Sequence, residues 1–442
     1  MIAARMGGWF GRNRFAHSVA VLAGGTAAGQ LLVVASSPIL TRLYLPDEFG
    51  SLAVYVSLLT FILGVASLRY NLAVPLAKDD RTLASLLVLC LAVAGGLSLL
   101  LAIAVLTNGH RIAEWTSSPA LAPLLWLLPI GLFGAAVNQV LTAWAVRQDR
   151  FSVLARIRIG QSASLTGTQV GLGLIGFGTL GLVLGDAIGR AAGSLGLARM
   201  AWGDLHAHLR AVRVPDVLKV ASRYRRFPLI STWTGLVASA GSQLPTLLVA
   251  SFYGTSVVGW FGLTQRLLSM SFVLVASAIG TVFLSESARL AHTQPERLMH
   301  LFWSTVSRAG LIACVLVGGV ATIAPLLFGP IFGSDWDEAG RYAQVLAVGA
   351  GFQFVNRSVG SASTVVERQD LDFAAETLWT LFASGSLLLA WMLGARPFVS
   401  MVIFSMGMSL GSVASISLSW YAIHDVIRRG RTGRPPYREE PS

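Results

Sequence analysis

The chain has 442 residues, of which 54% are hydrophobic and only 12% charged, with a formal net charge of +12. Soluble domains carry about 25% charged residues, so this composition excludes a water-soluble enzyme and indicates a polytopic membrane protein. The positive balance follows a membrane-loop pattern, set out below, and is not a nucleic-acid footprint. Cys90 and Cys314 each lie inside an apolar run and support neither a disulfide framework nor a metal site.

The segment up to His17 carries Arg5, Arg12 and Arg14 and leads into an apolar run from Ser18 to Leu40. That run is too long for a signal-peptide core and is followed by many similar ones, so it reads as the first transmembrane helix. Next comes a turn on Pro46-Asp47-Glu48, and then a second span whose only polar residues up to Leu68 are Ser51, Ser57, Thr60 and Ser67. Small hydroxyls of this kind are tolerated by lipid or by a neighbouring helix. The length rule for crossing a bilayer predicts about twelve spans. The first six lie near 18–44, 48–77, 84–107, 119–146, 153–177 and 179–201; the next six lie near 227–252, 256–287, 300–328, 340–366, 371–394 and 397–424.

Placing the loops on alternate sides puts 26 Lys and Arg residues on one side. Only four, Arg42, Arg111, Arg341 and Arg396, fall on the other. A missed span would swap the later loops and erase that bias, so twelve spans with both termini cytoplasmic is the expected topology. Tryptophans such as Trp115, Trp202 and Trp260 fall near span ends, where they anchor helices at the interface. The expected fold class is therefore all-α, with a six-helix half over 1–205, a basic cytoplasmic linker over 206–226, and a second six-helix half over 227–442. The linker reads as topology plus connection, with lipid-headgroup binding as the other reading. The tripeptide Arg147-Gln148-Asp149 returns as Arg368-Gln369-Asp370, each at the exit of the fourth span of its half. An even span number per half predicts a pseudo-twofold axis along the membrane normal.

Several motifs carry a family likeness. These are Pro38 with Thr41-Arg42-Leu43-Tyr44, Glu48-Phe49-Gly50, Leu68-Arg69-Tyr70, and Lys78-Asp79-Asp80. They continue with Gly185-Asp186, Gln243-Leu244-Pro245, Gln265-Arg266-Leu267-Leu268 and Glu367-Arg368-Gln369-Asp370. In this order the chain resembles the Wzx-type polysaccharide flippases of the multidrug/oligosaccharidyl-lipid/polysaccharide exporter superfamily. The resemblance implies a bacterial cytoplasmic (inner) membrane, a polyprenyl-diphosphate-linked oligosaccharide as substrate, membrane lipids around it, and glycan-assembly membrane proteins as partners.

The residues themselves show no nucleotide-binding loop, no histidine pair at metal spacing and no nucleophile elbow, so neither an enzyme nor a cofactor is expected. What stands out is charge where a bilayer penalises it. Asp186 and Arg190 sit four residues apart in the sixth span, on one helical face; they either neutralise each other or take part in substrate and ion coupling. Arg266, and Arg357 with Gln353 and Asn356, lie deep in the eighth and tenth spans and must face protein or water. Arg42 and Arg69 either snorkel or line a cavity. Arg158, near the start of the fifth span, reads as interfacial or as a contact for an anionic headgroup. Gln243 and Gln265 add neutral polar groups to the second half, as Asn138, Gln139, Gln161 and Gln169 do to the first.

The cationic surplus suits an anionic ligand, because arginine forks match phosphate oxygens. The expectation is a flippase in which Arg190, Arg266, Arg357, Arg69 and Arg42 receive the diphosphate-sugar headgroup in a cavity between the halves. Asp186 would couple transport to an ion gradient. The alternatives are an ion-coupled small-molecule exporter and a membrane glycan polymerase or ligase. The short external loops speak against the polymerase.

Overall fold

A computed structural model describes residues 21–291 and 294–431, and all regular structure among them is helical. Arg5, Arg12, Arg14, Arg434 and Arg438 lie outside the described residues. The chain divides into two compact units, 1–236 and 237–442.

In the first unit, α1 (Val21–Leu43) is interrupted at Ser36, whose hydroxyl donates to the Val33 carbonyl at 2.8 Å. The helix resumes through Pro38 in the first turn of its second segment. Helix α2 (Pro46–Leu63) starts on a proline, which has no N–H to leave unpaired. Glu48 reaches back to accept from the Leu45 N–H at 2.8 Å. The expected second span over 48–77 is not one helix. It ends at Leu63, Leu68 and Arg69 adopt left-handed φ of 45° and 61°, and a 3₁₀ turn runs from Tyr70 to Leu76. Pro75, which lacks a donor, sits inside that turn. Asp79 then caps α3 (Asp80–Trp115), accepting from the Thr82 N–H at 2.7 Å and the Thr82 hydroxyl at 2.9 Å.

Helices α4 (Leu127–Arg147), α5 (Phe151–Leu174) and α6 (Gly178–Ala211) complete the bundle. Helices α5 and α6 meet along a glycine ridge at Gly185, Gly189 and Gly193, facing Gln169, Leu165 and Gln161 in turn. Apolar attraction between helices is weak in lipid, so close backbone approach at small residues is what holds such a pair together. The core of the unit gathers around the fully buried Trp144, with Leu86, Leu87, Cys90 and Leu154.

The linker contains a short helix, α7 (Val214–Arg223), which packs on the first unit. Val220 joins the Trp144 core, the Tyr70 hydroxyl donates to the Ala221 carbonyl at 3.3 Å, and Arg81 pairs with Asp216 at 3.0 Å. The Arg81 hydrogen bond, with help from the Arg213 N–H, holds the Asp216 carboxyl below the usual carboxylate range. A depressed carboxylate pKa contributes stability above the unfolded value of about 4 and loses it as pH falls through the folded value. A spin label at Ser222 is therefore expected to be immobile at neutral pH and to loosen below about pH 4. Asp216→Asn should loosen it already at pH 7, and an unchanged spectrum there would reject the tether.

The second unit comprises most of α8 (Thr232–Tyr253), then α9 (Thr255–Ala291), α10 (Pro295–Phe332), α11 (Asp337–Val359), α12 (Gln369–Met392) and α13 (Pro397–Arg431). Its core includes Phe283, Phe302, Val359, Ala422 and Ile423. Ser405 stitches α13 to α11, donating to the Val345 carbonyl at 2.8 Å and accepting from the Gly349 N–H at 3.0 Å.

The structure corrects the register of the internal repeat. At the turn before α5, Asp149 has φ 54° and the next residue, Arg150, pairs with Asp204 near the end of α6 at 2.6 Å. At the turn before α12, Glu367 has φ 60° and Arg368 pairs with Asp425 near the end of α13, also at 2.6 Å. The equivalent dipeptides are thus Asp149-Arg150 and Glu367-Arg368. The matching Arg-Gln-Asp tripeptides are offset from this by three residues.

Ten helices among the described residues are long and apolar enough to cross a membrane. Helices α5 and α11 have 24 and 23 residues, as long as several of those ten, but are too polar to be among them. They are the helices that carry Arg158 and Gln161, and Gln353, Asn356 and Arg357.

Candidate functional site

Each unit contains its own polar pocket. The pocket of the first unit, about 230 Å³, opens where α4, α5 and α6 converge. Arg190 of α6 lines it and is tied to Asp186 one turn earlier by two bonds, Nε to Oδ2 at 2.6 Å and Nη2 to Oδ1 at 3.1 Å. Asp186 is only 5% exposed, so the carboxylate of the pair is buried in the helix packing while Arg190 reaches the pocket. A bidentate fork of this kind is the strongest form of the interaction.

Arg158 of α5 lines the same pocket, and among the described residues no hydrogen bond or ion pair holds its guanidinium. Three further polar atoms there are buried without a partner among the described residues: Asn138 Nδ2, Thr142 Oγ1 and Gln161 Oε1. Asn138 is only 8% exposed. Unpaired buried polar atoms cost about 1–3 kcal/mol each, and here they converge with two cations on one cavity. Gly193 keeps that cavity open, because a Cβ there would lie 2.9 Å from Gln161 Oε1 and 3.0 Å from Asn138 Nδ2. With Asp186 counted, the formal charge around this pocket is positive.

The pocket of the second unit is larger, about 550 Å³, and is lined by α8, α9, α11, α12 and α13. Four residues singled out in the sequence, Gln265, Gln353, Asn356 and Arg357, meet here. Helix α12 adds Asp372, Glu376 and Trp379, which the sequence reading did not select. Their spacing of four and then three residues puts them on one helical face; that periodicity was the available signal, masked by the apolar residues between them. Thr364 donates to Asp372 at 2.8 Å. Arg357 and Glu376 share the pocket without forming an ion pair. The two carboxylates against one guanidinium make this pocket formally negative, so Arg357 is not the uncompensated cation that its sequence context implied. Asp186 is likewise not the sole acid within the spans.

The remaining candidates lie elsewhere. Arg266 is half-buried on α9, whose pocket-lining residues are Gln265 and Ser269, one helical step of about 100° away. Gln243 is half-buried and donates to its neighbour Ser242 at 3.1 Å. Arg42 is exposed in the last turn of α1. Arg69 is half-buried in its left-handed turn, with its Nε unpartnered among the described residues and its guanidinium directly against Gly235. No cluster of histidine, cysteine and carboxylate residues suited to a metal ion occurs among the described residues.

With this geometry in view, the comparisons with known proteins become informative. Residues 39–341 match the family described as "Polysaccharide biosynthesis protein". The succinoglycan biosynthesis transport protein ExoT of Rhizobium meliloti is 24% identical over 324 residues, which is 71% of this chain and 62% of that protein. The chain thus spans somewhat under two thirds of that relative's length. Among solved structures, an inward-facing multidrug resistance MATE family transporter of the MOP superfamily superposes with a TM-score of 0.71 at 15% identity, covering 89% of this chain and 94% of the other. The lipid II flippase MurJ in an inward closed conformation gives 0.69 at 11% identity, covering 95% and 93%. At these identities the two structures establish a transporter fold shared with both. The family match covers well over half of the chain, and this multi-pass membrane protein belongs to the polysaccharide biosynthesis protein family.

Proposed function

We propose that this protein is a flippase that moves a polyprenyl-diphosphate-linked oligosaccharide from the inner to the outer leaflet of a bacterial cytoplasmic membrane, with both of its own termini cytoplasmic. The observation that carries this reading is the first unit's pocket. At the meeting point of three helices it offers the Arg190 fork, with Arg158 and amide and hydroxyl groups that have no partner among the described residues. A diphosphate supplies acceptors for Arg158 and Asn138, and the lipid tail stays in the bilayer. Family membership and the transport role of ExoT support the same reading.

The Asp186–Arg190 pair supplies a route to ion coupling. Phosphate oxygens and the Asp186 carboxylate compete for one guanidinium, so a diphosphate that draws Arg190 toward itself frees Asp186 to take a proton or metal cation. Anion binding and cation uptake then favour each other, and by linkage the effect is reciprocal. Rocking of one half against the other would expose the loaded site to the opposite leaflet.

The test is flipping of lipid-linked oligosaccharide in proteoliposomes, with and without an ion gradient. Arg158→Gln leaves no buried partner behind, so folding should be unaffected. Losing one charge-assisted contact of about 1.5–3 kcal/mol should lower transport about tenfold or more. An unchanged rate would remove the diphosphate assignment from this pocket. A second reading, export of cationic small molecules, is favoured by Asp372 and Glu376 in the other pocket. It predicts drug resistance on overexpression with no change in surface glycan.

A further inference from the structure

The two pockets differ in the ligand chemistry they favour, and we infer that the pocket of the second unit is a carbohydrate subsite that reads the sugar part of the cargo on Trp379. This rests on the flippase reading above and on the charge of this pocket taken by itself. A diphosphate only accepts hydrogen bonds and is repelled by carboxylates, so a pocket lined by Asp372 and Glu376 disfavours it. Sugar hydroxyls donate and accept at once. They match a lining that mixes carboxylates, the Arg357 guanidinium and the amides of Gln265, Gln353 and Asn356.

Trp379 adds the feature that distinguishes sugar from a generic polar solute. Its ring offers an apolar face to the C–H side of a pyranose while its N–H seeks a polar partner. That N–H is buried here with no acceptor among the described residues. The indole is held in place between two glycines. A Cβ at Gly411 would lie 3.1 Å from Trp379 Cδ1, and one at Gly241 would lie 3.5 Å from Cε3 and Cζ3. Asp372 and Glu376 precede it on the same face of α12, placing carboxylates beside the ring. At about 550 Å³ the pocket falls within the usual range of small-molecule sites.

The experiment compares binding of undecaprenyl diphosphate with that of the same lipid carrying the host's oligosaccharide repeat, using the full chain in nanodiscs. Wild-type protein is expected to favour the glycosylated lipid by about tenfold, the scale of one well-made contact. Trp379→Ala and Glu376→Gln should each erase that preference while leaving affinity for bare undecaprenyl diphosphate unchanged. Trp379→Phe keeps an apolar ring and should retain part of the preference, which separates recognition from misfolding. Arg158→Gln should weaken both lipids equally. If the Trp379→Ala protein keeps the preference, or loses affinity for both lipids to the same extent, the subsite is wrong while the flippase reading stands. If wild-type protein binds neither lipid, both fall together.

Discussion

Arg190→Gln is expected to destabilise the first unit by about 3–5 kcal/mol, because it leaves the Asp186 carboxylate buried without its bidentate partner. Unfolding of the reconstituted protein by a denaturing detergent should show the loss directly. The double variant Asp186→Asn/Arg190→Gln replaces the ions by two amides of similar shape. It should recover most of the stability, since a neutral pair carries little of the desolvation penalty of a charged one. Flipping should remain at least tenfold below wild type in that double variant, because α6 no longer puts a guanidinium into the pocket to meet the proposed diphosphate. This separates structure from function. A double variant that is stable and transports at the normal rate would show that Arg190 serves only to neutralise Asp186.

The second large effect belongs to the α5–α6 seam. At Gly189 a Cβ would come 2.6 Å from Leu165 Cβ, 3.0 Å from its Cα and 3.1 Å from the Gln161 carbonyl. Two of those neighbours are backbone, so the helices themselves must part. Gly189→Leu should cost about 1–3 kcal/mol or more through overpacking. It should also shift Gln161 out of the pocket and abolish transport. Gly167 on α5 is the contrasting site, with nothing within 4 Å of its added Cβ. Gly167→Ala should be neutral or stabilising by about 0.5–1 kcal/mol, since alanine is the better helix former. Thermal unfolding of the two variants side by side checks the pair. Equal behaviour would mean that the seam does not set the packing.

Much of this protein was legible before folding was considered. A bilayer tolerates few charges and demands long apolar helices, so composition and Lys/Arg asymmetry alone carry the class and the approximate span count. The proline-acid turn at Pro46–Glu48 was legible because capping is local chemistry. The end of α2 at Leu63 was not, because the left-handed turn at Leu68 and Arg69 gives no hydropathy signal. The internal repeat was also misread. Arg-Gln-Asp matched as letters, whereas the shared device is a left-handed residue followed by an arginine that reaches a distant aspartate.

Which charges share a cavity was decided only in three dimensions. Arg158 looked interfacial along the chain, yet the glycine ridge of α6 draws α5 close enough to put it beside Arg190. Glu376 and Trp379 were hidden in an apolar helix until the packing of α12 against α13 turned that face toward the pocket that Arg357 also lines. The sequence by itself determined that charged residues fall within long apolar segments and need shelter there, since hydrocarbon penalises a charge whichever partner it later finds. The Asp186–Arg190 pair follows from its spacing, but only the tertiary structure decided partners on different helices, because these depend on helix rotation and on close approach at glycines. Neither quantity is written in the spacing of charges along one chain.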